Sequence, residues 1–165
     1  MPVLDRAVSG FIVAVLALIG NAAVAAPDTS PTACSQWLAA HAQATADKRY
    51  RDCVLAVAGT YIDAEENILP FEKALLADDV SRHRIGTEPA FAPGNKAKMI
   101  AVTTHDVIAA IKNRRWTVEG DTAWILYDGY LKKDPSKIGF YVAERITLEK
   151  GLVHEILVAD ITVPK

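Results

Sequence analysis

The strongest constraint on this chain is a change of hydrophobic period. Through the last fifty or so residues, apolar side chains recur at about every second position in the segments RRWTVE, TAWILYDGYL, KIGFYVAERITLE and LVHEILVADITV. Successive side chains of a strand point to opposite faces, so a period of two marks strands with one buried face. The breaks at Glu119-Gly120-Asp121 and Glu149-Lys150-Gly151 carry turn residues, which predicts hairpins. Upstream the period is helical. A helix is expected over about 35–48, capped by Ser35, and a second over about 50–67, where Val54, Leu55, Ala58, Ile62 and Glu65 share one face. Pro70 starts a short helix in PFEKALLA, residues 79–85 read as a strand closed by Gly86, and 87–95 form a proline- and glycine-rich loop. A third long helix is expected over about 96–113. Helices that lead and strands that trail exclude alternating βαβ units. They predict an α+β fold, with N-terminal helices packed on a strongly curved antiparallel sheet and a pocket between the layers.

The chain has 165 residues, enough for one domain with a sizeable core. Its start reads differently from the rest. Arg6 precedes the unbroken apolar run FIVAVLALI, and Ala23 and Ala25 form an A-x-A cleavage signal. That layout predicts a cleaved signal peptide over 1–25, a flexible lead-in over 26–34 and a single domain over 35–165. The apolar run is short for a membrane span, so no membrane association is expected after cleavage. Export would bring Cys34 and Cys53 into an oxidising compartment, in the periplasm or outside the cell. Two cysteines allow one pairing, so a disulfide is favoured over two buried thiols; its loop would contribute roughly 3 kcal/mol. The formal net charge is −2 and no basic stripe is present, which argues against nucleic-acid binding. His41, His83, His105 and His154 are scattered without metal-ligand spacing, so neither a metal nor another cofactor is expected.

The segment TYIDAEENILPFEKALLADDVSRHRIG, followed by a helix and by RWTVEGDTAWILY and YVAERITLEKGLVHEILV, resembles the NTF2-like superfamily, and within it secreted SnoaL-like or steroid-isomerase-like bacterial proteins. The resemblance spans about residues 50–163. It implies a cone-shaped half-open barrel whose wide end holds an apolar cavity, used by isomerases, cyclases and hydrolases and by non-catalytic binding domains. Fold therefore leaves function open. In the isomerases a helix-borne tyrosine donates to the substrate oxyanion, and Tyr61 takes that place here. The catalytic aspartate position falls on Arg84, which holds its proton and cannot be a base. The spacing is one residue short, so His83 is the candidate base instead. The second acid of that family falls on Asp128 or Glu144, and a dedicated steroid isomerase is disfavoured.

The residues themselves frame the same question. Along 80–85, Arg82 and Arg84 alternate with Ser81 and His83, so either the histidine or the arginines face inward. Inward arginines would suit a carboxylate ligand. Glu144 shares a face with Phe140, Val142, Ile146 and Leu148; an acid there must be paired with an arginine or carry its proton. Trp116, Trp124, Tyr127 and Tyr141 are candidate cavity-lining aromatics. The leading expectation is a small, largely apolar ligand held in the cone without assigned catalysis. The alternatives are an isomerase, cyclase or hydrolase using His83 and Tyr61, with Glu144 as a further candidate, and a homodimeric envelope module joined through its sheet.

Overall fold

The computed structural model describes residues 27–41, 47–85, 96–102 and 107–163. The expected signal segment, the loop at 87–95 and His105 lie outside the described residues. Helix α1 spans Pro31–Ala40, starting earlier than expected. Ser30, not Ser35, is its cap: the Ser30 hydroxyl accepts from the Ala33 N–H at 3.4 Å, and Pro31 sits in the first turn, where no backbone donor is needed. The end of the expected lead-in is therefore helical. Helix α2 spans Lys48–Glu65, with the Asp47 carboxylate accepting from the Arg49 N–H. Its inner face, with Val54, Val57, Ala58, Tyr61 and Ile62 fully buried, packs on the sheet. The expected disulfide is present: Cys34 and Cys53 are bonded, both fully buried, and tie α1 to α2.

After a single 3-10 turn at Phe71–Lys73, strand β1 covers Leu76–Arg84. The short helix expected after Pro70 is reduced to that turn, and Ala77-Asp78-Asp79 already lie in the strand. Helix α3 is Lys96–Val102, and β2 covers Ile108–Glu119. This overturns the long helix expected over 96–113. Ile108 and Ile111 are buried from a strand, not from a helix, and a bulge hides the alternation. Asn113 takes a left-handed φ of 55°, and the pairing register shifts between Lys112 and Arg115. An extra residue at a bulge interrupts a period of two.

Strands β3 (Thr122–Leu131), β4 (Asp134–Glu149) and β5 (Leu152–Thr162) complete an open five-stranded sheet in the order β1-β5-β4-β3-β2. Neighbours from β2 to β5 are antiparallel, as the hairpin turns predict, but β1 runs parallel to β5. The sheet is therefore mixed, not purely antiparallel. Gly151, at φ 75° in the β4–β5 turn, has no room for a Cβ because the Ser35 carbonyl of α1 lies against it. Among the described residues, no helix is long and apolar enough to cross a membrane.

Candidate functional site

Register sorts the strand-borne candidates onto one face or the other. Ile125 and Tyr127 on β3, Val142 and Glu144 on β4, and Ile156 and Val158 on β5 are buried on the helix-covered side. Arg82 pairs with Ile156 and Arg84 with Val158, so both arginines share that inner face. His83 lies between them opposite Leu157, and alternation sends it to the outer face. Trp124 pairs with Arg145 and Tyr141 with Asp128, also on the outer face, where they are 44% and 49% exposed. Trp116 pairs with Ile125 and packs half-buried against the core, away from the cavity walls. Of the sequence candidates, the structure brings Tyr127, Glu144 and Arg84 to one cavity, with Tyr61 behind its floor.

The cavity measures about 180 Å³. Its waist is apolar: Val107, Ile108, Phe140, Val142 and Val158. Its floor is polar, made by buried Glu65, Tyr127 and Glu144 with half-buried Arg82. Two phenols serve the two carboxyls. Tyr61 donates to Glu65 Oε1 at 2.8 Å and accepts from Arg82 Nε at 3.0 Å, while Tyr127 donates to Glu144 Oε1 at 3.0 Å. Burial keeps both phenols protonated by pushing their pKa values up. Glu144 is 1% exposed, and its Oε2 has no hydrogen-bond partner among the described residues. Loss of water, then the negative charge of Glu65, pushes its pKa up to about 8; Arg82 and the Tyr127 hydrogen bond only partly oppose this. Near neutrality Glu144 is therefore an acid with a proton to donate, not half of the arginine pair allowed by the sequence.

At the mouth, Arg84 Nε and Nη2 donate to the two oxygens of Asp160, each at 2.5 Å. One wall depends on a glycine. Gly129 lies beneath the Phe140 ring, so closely that a Cβ there would overlap three ring atoms. A larger hollow of about 650 Å³, lined in part by Leu131, Ile138, Gly139 and Val163, brings together no buried ionisable group. The described residues contain no cluster of His, Cys, Asp or Glu suited to a metal ion.

Two residues of this cavity, Glu65 and Asp160, are not among the candidates the sequence singles out. Glu65 left a signal, an acid on the apolar stripe of a helix. Arg82 was weighed only as one of two possible inward faces. Asp160 gave no signal, because nothing in ILVADITV distinguishes a rim acid from a solvated one.

No protein-family model matches the chain, and no curated protein matches it in sequence. Solved structures do match in shape. A candidate ketosteroid isomerase from Kribbella flavida DSM 17836 aligns with a TM-score of 0.55 at 17% identity, covering 68% of this chain and 80% of that one. An LEH-like epoxide hydrolase from M. tuberculosis aligns at 0.51 and 16%, covering 66% and 82%. A de novo designed protein with a curved β-sheet aligns at 0.54 and 13%, covering 67% and 85%. Identities this low carry the fold and nothing finer. With helices laid on one face of an open, curved, mixed sheet and a cavity between the layers, the chain has an NTF2-like fold.

Proposed function

We propose that this protein binds a small, largely apolar ligand in the cavity, placing a carbonyl, ether or hydroxyl oxygen of that ligand on the Glu144 carboxyl. The observation that carries the reading is Glu144 itself: a buried, protonated acid on the cavity floor, with Oε2 bonded to nothing described in the protein. A buried polar atom of this kind is costly unless something satisfies it, and a ligand acceptor does so. The apolar waist supplies the rest of the affinity. Methyl isobutyl ketone, followed by ligand-observed NMR, is a suitable probe. Binding is expected to be saturable and to weaken as pH rises through about 8, where Glu144 loses its proton. Glu144→Gln, which keeps a donor, should bind without that pH dependence, and Glu144→Leu should not bind. Ketone binding indifferent to Glu144→Leu would remove the proposal.

Turnover would use the same atoms, with Glu144 as acid and Glu65 as base. Two carboxyls facing one cavity support this, as do the isomerase and hydrolase among similar folds. His83, on the outer face, offers that chemistry no support. Export of the protein is part of the same proposal, supported by the apolar run before Ala23 and Ala25 and by the disulfide.

A homodimer joined through the sheet has its own support. Trp124, Leu126, Tyr141 and Ile161 share the outer face, the last 72% exposed, and no described helix covers them. Large exposed apolar patches mark interaction surfaces. Sedimentation equilibrium should show a dimer that Trp124→Glu with Tyr141→Glu converts to a monomer. A native protein that stays monomeric at high concentration would refute it.

A further inference from the structure

The mouth of the cavity holds a pair that the ligand reading does not use. Arg84 and Asp160 both line the cavity and stand at the ends of neighbouring strands β1 and β5, with side chains 52% and 15% exposed. Two parallel hydrogen bonds join them, along the Nε–Nη2 edge of the guanidinium. That edge is the one a carboxylate ligand would take, because its two donors match the spacing of two carboxylate oxygens.

The charges around the cavity fit this arrangement. Two guanidinium groups, Arg82 and Arg84, share the lining with three acids, Glu65, Asp160 and Glu144, and burial favours the protonated form of Glu144. An interior of low dielectric strongly opposes any uncompensated charge, so a balanced lining suits a neutral guest. Without Asp160, the same lining would carry one positive charge and an open carboxylate fork at the entrance.

We propose that Asp160 determines ligand class: by occupying the Arg84 fork it reserves the cavity for uncharged ligands and turns away small carboxylates. This rests on the ligand-binding reading of the cavity and adds the residue that sets its selectivity. The cost to an entering carboxylate is physical. It must either approach a pair that is already neutral or displace Asp160, leaving that carboxylate poorly solvated and without its cation. Asparagine at the same position keeps the shape but offers one carbonyl oxygen in place of two charged ones.

The test compares methyl isobutyl ketone with isovalerate, its near-isosteric carboxylate, by NMR titration at neutral pH; the readout is the ratio of the two affinities in each protein. The native protein should favour the ketone by about tenfold or more, and Asp160→Asn should shift the ratio toward isovalerate by about tenfold. Adding Arg84→Gln to Asp160→Asn should abolish that gain, since the fork is then gone. Arg84→Gln alone tests the assignment with Asp160 intact: the mouth becomes acidic, so isovalerate weakens and isopentylamine gains. If the ketone binds while Asp160→Asn leaves the ratio unchanged, Asp160 does not set selectivity, though the cavity reading stands. If neither probe binds any of these proteins, the cavity reading falls and this assignment with it.

Discussion

At Glu144 a single side chain shows how burial changes chemistry. A glutamate in water ionises near pH 4.5, whereas here burial and Glu65 hold its proton to about pH 8. The consequence for stability has a definite sign. Between those two pH values the unfolded chain has released the proton and the folded chain has not, so stability falls as pH rises through the window. Glu144→Gln mimics the protonated form and removes this dependence. Urea titrations should show a flatter pH profile for the variant and, near pH 7, a gain of about 3 kcal/mol over the native protein. Equal slopes in both proteins would mean that Glu144 is ionised in the fold. The anomaly of this residue was legible in the sequence, since an acid interrupts the apolar alternation of FYVAERITL. Its partner was not. Which phenol meets Glu144 depends on the β3–β4 register, and which charge does depends on how α2 lies on the sheet, while alternation along β1 fixes that Arg82 and Arg84 share a face without saying which face is inward.

Among the elements, α1 depends most on a covalent tie. It is short, and it is held by the Cys34–Cys53 bond to α2 and by its seat against Gly151. An isolated helix of this length is marginal in water. Replacing both cysteines by serine should lower unfolding free energy by about 3 kcal/mol in denaturant titrations, mostly by freeing the unfolded chain. It should leave the cavity intact, because no α1 residue lines it. A loss well under 1 kcal/mol would mean that packing alone seats α1. Element type was legible wherever one period ran without long interruption, as in α2, β3 and β4, and in β5 despite a bulge between Val153 and Glu155. It failed at β2, where a register shift between Ile108 and Ala110 buries Ile108 and Ile111 at a helix-like spacing of three and a second bulge at Asn113 breaks the alternation again. It shifted at α1 because the Pro31 start signal was read as loop chemistry.

For the whole molecule, the order of elements carried the architecture, because helices first and hairpins last leave few ways to cover one face of a sheet. The parallel β1–β5 edge was not legible: strand order is decided by a crossover, and no local pattern records where a strand lands. The result is a sheet with two characters, one face covered by helices around a polar-floored cavity and the other presenting aromatics to solvent. Gly129 gives the inner face one further property. Because the Phe140 ring packs against a residue without a side chain, the position of this cavity wall depends on one hydrogen atom on β3. A methyl group there would overlap the ring and force it to move, reshaping that wall without touching Glu144 or the Arg84–Asp160 pair. On the ligand reading proposed above, the size and the polarity of the guest would therefore be set by separate residues.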